Sequence, residues 1–538
     1  MALNVVCQDR NDASWSETLA VLRAALRFGD PPLRGIAWFL SELRFADAFR
    51  WQSAGFGTVV DEAAWRRLLE RCWAARTGEE RGGAAFLLSG LCHWHPSQIA
   101  ALGERTTLLS QWVEEVTEES AGGLGRLLND VAQTEGGRDV VRAICAATDP
   151  HRIAAWLNAV TWSQAWSQGW LLGRIGYNAT PAWRERLRED LDIAALQTLF
   201  SSAADAELGS LSELVEGIAE IDYELSLSLL DLAAPAIGGA LSRSPVEGWK
   251  AAGQLILFFL RFYSPGLGIP PPTRQQRPIG KRIARAVDPV AVASDLSGSR
   301  RRDWPVYHEL LIFLKSTMPT CAREVIDRVD LAALDRTIGG MWSGMPDELL
   351  RLVWAMFVAE GRGPGRVSEW VSSHAEEFTG VTPHLVQIAP TAAAVALRKG
   401  HRLHLDVGKG WGWNSALLAM VELENVDRQL AVKVLEDNQN DIAKGFASLR
   451  EYDSIGVPYV LQILHKLVPK LVPTILDKID PAIAEAHWAK RLQGKADERG
   501  AAAALIEAAF EGSDELAALA TRLRRRFPRA STIPAPKA

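Results

Sequence analysis

Histidine, cysteine and aspartate at close spacing are where metal binding or proton transfer would be sought first. Cys92-His93-Trp94-His95 puts three ligand-type side chains side by side. Zinc needs spacings such as C-x2-C or H-x3-H so that ligands converge, whereas neighbours on a helix point about 100° apart. Cys92 is therefore expected in the core and the histidines at a helix end before Pro96. In His401-x-x-His404-x-Asp406 a strand would put His404 and Asp406 on one face and His401 on the other. The strings GRGPGRVS and GKGWGWNS lack the Gly-x4-Gly-Lys-Ser/Thr spacing that lets backbone amides wrap phosphates, and Trp411 and Trp413 crowd the second. No nucleophile sits in a local motif such as G-x-S-x-G. The expectation is a chain that binds rather than catalyses, with no metal and no cofactor.

Two features suit binding. From Arg261 to Arg302 nine basic residues face two acidic ones, a local +7 in a chain whose total is −6. That positive field suits phosphate-rich or acidic partners, with Arg274, Arg277, Lys281, Arg282, Arg300, Arg301 and Arg302 as contacts; the plainer reading is a solvated surface matched by acidic neighbours. The second feature is Trp162, Trp166 and Trp170, which fall on successive helical turns at i, i+4 and i+8. A Trp recurring at one place in successive repeats is most simply a packing wedge. Three indoles on one face exceed what a core needs, so this face is expected to contact a partner.

The elements that must carry these residues are helices. Short apolar helices start at Asp149, Asp192, Asp222, Asp288, Asp330, Asp427 and Asp480, three of them with proline next (Pro150, Pro289, Pro481). An Asp N-cap accepts from the orphan amides of the first turn, and proline at the next position loses no hydrogen bond. Trp-led helices often follow, at Trp162, Trp249 and Trp304, and less cleanly at Trp411 and Trp413. Such units, repeating about every 40 residues, predict an all-α fold, an α-solenoid of irregular two-helix repeats. Residues 264–280 and 361–366 read as loops, and 401–413 as a short strand or hairpin. The expected organisation is an N-terminal helical region over 1–140, helical repeats over 141–263, the loop and basic segment over 264–302, further repeats over 303–400, C-terminal repeats and a cap over 401–530, and a frayed tail over 531–538. The basic run near the C-terminus keeps Leu516, Leu519, Leu523 and Phe527 in a helical stripe, as a capping helix would.

Hydrophobic residues make up 48% and charged residues 23% of the 538, which suits a folded chain and excludes wholesale disorder. Five scattered cysteines without a C-x-x-C pair do not make a disulfide scaffold, so a reducing cytoplasm is expected. The greasiest stretch, Leu255 to Leu260, is six residues followed by Arg261, too short to span a membrane.

Paired helices with Asp-Pro starts resemble TPR- and HEAT-like repeats, although the Trp-x2-Leu-Gly-x2-Tyr pattern of true TPRs is not matched. With the starts Val287-Asp288-Pro289 and Ile479-Asp480-Pro481 and the closing RLRRRFPRAS, residues 140–530 resemble the helical arrays beyond the ATPase module of bacterial STAND-type NTPases, including those of antiphage defence. That resemblance implies a sensor or scaffold that recognises a protein, with nucleotide chemistry on other domains or chains. A nucleic acid held by 261–302 is the alternative partner.

Overall fold

The computed structural model describes residues 33, 35–36, 62–94, 97–262, 272–401, 403, 412–449, 457–494 and 496–528. Among these residues there are thirty α-helices and one isolated bridge, so the chain is an all-α helical-repeat protein. It divides into two units. The first is made of Met1–Ala240, Ala251–Phe259 and Arg274–Ala286, and the second of Leu241–Lys250, Leu260–Thr273 and Val287–Ala538.

All seven aspartates cap their helices. Carboxylate oxygens of Asp149, Asp192, Asp222, Asp288, Asp330, Asp427 and Asp480 accept from amides two or three residues on, at 2.8–3.0 Å. Each such cap stabilises by about 1 kcal/mol. Four of these aspartates do a second job. The amide of an N-cap residue lies outside its own helix, and here a side chain from the end of an earlier helix takes it. Asp149 N donates to Glu114 Oε1, Asp192 N to Asn158 Oδ1, Asp288 N to Ser242 Oγ and Asp330 N to Ser297 Oγ, at 2.7–2.8 Å. One residue type at one position therefore starts a helix and ties successive repeats together.

In the first unit the helices Gly78–Trp94, Glu118–Ala132, Trp162–Asn178 and Leu208–Ala219 lie side by side in chain order. Two short helices separate each long one from the next: Gly137–Ala147 and Pro150–Asn158, then Pro181–Glu189 and Ile193–Ser201. The Asp-led helix thus precedes a long helix, as expected, and one further short helix completes the repeat. Glycine sets the spacing of the long helices. A Cβ on Gly123 would lie 2.3 Å from the Gly82 carbonyl oxygen, and one on Gly169 2.6 Å from the Leu214 backbone. Only a residue without a side chain permits backbones this close.

The second unit repeats the order with Pro289–Ser297, then Trp304–Thr317, Pro319–Arg328 and Leu331–Ile338, then Asp347–Glu360. Trp304, Tyr307, Leu310, Leu311, Phe313 and Leu314 are all buried, so this long helix is core on most sides. Tryptophan N–H groups also close helix ends across repeats. Trp183 Nε1 donates to the Thr148 carbonyl in the first unit, and Trp488 Nε1 to that of Phe446 in the second, each at 2.8 Å.

Several boundaries differ from expectation. The loop read over 264–280 ends early, because Gln276–Arg285 is helical. Pro278 is its third residue, where the missing amide would have had no partner. Trp249 does not lead its helix but is the fifth residue of Pro245–Gln254, and Leu255–Phe259 continues as a π-helix. Near 401–413 the described residues show a single parallel bridge, Leu403 to Val381, and a helix from Gly412; 404–411, like the tail 531–538, lie outside the described residues. The helix Tyr223–Arg243 is long and apolar enough to cross a membrane, although no long unbroken apolar run marks it in the sequence. In that helix 61% of the qualifying window is buried inside the protein, as in a core helix.

Candidate functional site

The Trp162–Asn178 helix is held from below and open above. Gln164 accepts from the Thr161 amide at its start, and Ala165, Gln168, Leu171, Leu172 and Ile175 are buried. The other side carries the expected indoles. Trp162 packs on Phe200, with centroids 5.8 Å apart. Trp166 is 50% exposed and stacks on Trp170 at 6.1 Å and 29°. The edge of Trp170 lies over Gly125, where a Cβ would come within 2.8 Å of the ring. Tyr177, two turns on, is 63% exposed. The structure thus brings Trp166 and Trp170 into one stacked surface and turns Trp162 towards its neighbour.

The ladder continues into charge. The Arg174 guanidinium lies 5.9 Å from the Trp170 ring, and its Nε is buried without a hydrogen-bond partner. Beside it, on Leu208–Ala219, stand Glu213 and Glu216. Burial holds both carboxyls above their ordinary range; Glu213 raises Glu216 further, and Arg174 opposes the shift at each. Neither residue was among the expected contacts. Their signal was legible: Glu213, Glu216 and Glu220 recur at i, i+3 and i+7, one helix face.

The basic segment divides between the two units. Arg274, Arg277, Lys281 and Arg282 belong to the first unit, and Arg300, Arg301 and Arg302 to the second. All are exposed, and acidic groups already face several: Arg282 pairs with Asp231 at 2.8 Å, Arg301 with Glu348 at 3.1 Å and Arg302 with Asp303 at 3.6 Å. In the capping helix Asp514–Arg526, Leu516, Leu519 and Leu523 are buried, and Arg524 lies 4.5 Å from the ring centroid of Phe510.

Elsewhere several reactive side chains are masked by burial. It pushes the thiols of Cys72, Cys92 and Cys145 up to about 12 and that of Cys321 to about 11, which leaves them protonated and poorly nucleophilic. Cys92 is core, as expected; the His93 side chain, His95, His404 and Asp406 lie outside the described residues. His308 and His384 are lowered to about 4, first by burial, with the Arg351 charge adding to it. Tyr307 is raised, first by burial and then by its hydrogen bond to Asp295. Among the described residues no three His, Cys, Asp or Glu side chains converge as a metal would require.

No protein-family model matches this chain, and no curated protein does. Among solved structures, the crystal structure of an engineered protein from the Northeast Structural Genomics Consortium aligns with 82% of this chain and 97% of its own at 14% identity. Its TM-score is 0.39, and the fold assignment rests on the helices themselves.

Proposed function

We propose that this chain is a non-catalytic binding protein whose first unit holds a protein partner on the open face of Trp162–Asn178, as a sensor or scaffold. The observation that carries the reading is Trp166, half exposed and stacked on Trp170 above a buried helix face. Covering roughly 100 Å² of indole would release about 2–3 kcal/mol. The ring is already held by its stack, so little side-chain entropy is lost on binding. The resemblance to STAND-type arrays extends the proposal to recognition in bacterial antiphage defence.

The test is affinity capture from native cells with the full chain and with Trp166→Ser. A partner held by the wild type and lost from the folded variant supports the reading; a partner held equally by both removes it. Salt separates the alternative. A phosphate-driven complex weakens by orders of magnitude between about 50 and 200 mM salt, whereas an aromatic seam is much less sensitive. Steep salt dependence, with loss on neutralising Arg300, Arg301 and Arg302, would favour nucleic acid instead.

A further inference from the structure

We infer that the partner presents a basic segment, an arginine or lysine side chain of which lies over the Trp166–Trp170 pair and pairs with Glu213 and Glu216. The inference rests on the binding face proposed above and adds the chemistry of its occupant.

Three observations converge. First, the helix register lays the helix of the acids directly along the helix of the aromatics. The close approaches run Gly169 to the Glu213 and Leu214 backbone, Gly173 to Gly217, and Gly176 to Glu220. Secondly, the charges on that seam do not balance. Arg174 stands beside both Glu213 and Glu216, and among the described residues neither carboxylate closes an ion pair. Across Trp170, on Glu118–Ala132, Arg126 is committed to Asp130 at 2.7 Å. One half-buried and one exposed carboxylate that share one guanidinium are a site short of positive charge. Thirdly, the seam already shows how a cation sits there, because the Arg174 guanidinium lies 5.9 Å from the Trp170 ring and its charge acts on both acids. A second cation over the half-exposed Trp166 would extend that arrangement. Cation–π contacts contribute about 0.5–2 kcal/mol, more as water is excluded, and the long aliphatic stem covers indole.

Isothermal titration of the full-length protein with a short synthetic peptide of alternating arginine and leucine tests this, with a glutamate–leucine peptide as the counterpart and indole fluorescence as a second readout. Binding of the arginine peptide alone is expected. Glu213→Gln combined with Glu216→Gln should weaken it about tenfold or more, the equivalent of 1.4 kcal/mol. Trp166→Ser should weaken it similarly, and Asp139→Asn, a surface acid elsewhere in the unit, should leave it unchanged. The glutamine pair removes charges that burial disfavours, so its thermal melt should be no lower than that of the wild type. Equal binding by the glutamine variant, or an equal loss with Asp139→Asn, overturns the inference, since attraction to the chain's overall negative charge would then suffice. If native capture depends on Trp166 but the arginine peptide does not bind, the binding face stands and its basic occupant falls.

Discussion

Trp162 and Trp304 both open a long helix that follows an Asp-capped one, yet the two helices use tryptophan in opposite ways. Trp304 is fully buried in a helix that is core on most sides, whereas the helix that Trp162 opens displays Trp166 at 50% exposure. Glycine makes the difference. Gly169 and Gly176 let the next helix approach so closely that its backbone occupies the space a side chain would need, and Gly125 admits the edge of Trp170 from the other side. Bulk is left to the open face. No glycine interrupts Trp304–Thr317, so its aromatics fill the gaps between helices instead. Position in the repeat does not decide what a tryptophan does; the residues opposite it do.

The largest effect should come from truncating the buried indole. Trp304→Ala empties a fully enclosed site and should cost about 3–5 kcal/mol in urea denaturation. Trp166→Ser should cost about 1–2 kcal/mol, because half its surface already faces water. Similar losses from the two substitutions would mean that the open face is structural.

Acid should separate the two regions next. His308 and His384 in the second unit have proton affinities lowered from the ordinary 6.5 to about 4, so the unfolded chain binds more protons between those values. Stability is full above pH 6.5 and declines as pH falls towards 4, by up to roughly 3 kcal/mol for each histidine. Glu213 and Glu216 in the first unit have the opposite sign. Their carboxyls hold protons more tightly in the folded chain, so acidification relieves a cost as pH falls towards the ordinary 4.5. Urea midpoints between neutral and acid pH should fall in the wild type and fall less steeply in His308→Asn, even if that variant is weaker throughout. An unchanged slope would show that His308 titrates normally.

The helix starts were legible in the sequence because capping is local: each aspartate needs only the amides of its own first turn, and all seven engage them. The spacing of Trp162, Trp166 and Trp170 on successive turns was legible for the same reason, but the turn of Trp162 towards Phe200 was not. What went unseen depends on register between helices. The Asp amides meet Glu114, Asn158, Ser242 and Ser297 across 33 to 46 residues, and no spacing within a helix announces that. Glu213 and Glu216 showed a helical stripe, but their place beside Arg174 follows from glycine contacts between two helices. The division of the basic segment's arginines between the two units follows from tertiary contacts, which adjacency in sequence does not carry.

The smallest effect tests the glycine argument itself, through a difference in sign. Gly122 and Gly169 are both mid-helix glycines of the first unit, and an exposed mid-helix glycine ordinarily costs about 0.5–1 kcal/mol against alanine. A Cβ on Gly122 meets nothing within 4 Å, so Gly122→Ala should raise stability by that amount. A Cβ on Gly169 would press on the Leu214 backbone at 2.6 Å, where nothing can turn aside. Gly169→Ala should therefore lose about 1–3 kcal/mol despite its better helix propensity. The same shift would part Trp162–Asn178 from Leu208–Ala219 and move Glu213 away from Arg174, so arginine-peptide affinity should fall with Gly169→Ala and hold with Gly122→Ala. If both alanines stabilise, the close approach is not what turns the indoles outward, and the contrast between the two long helices needs another cause.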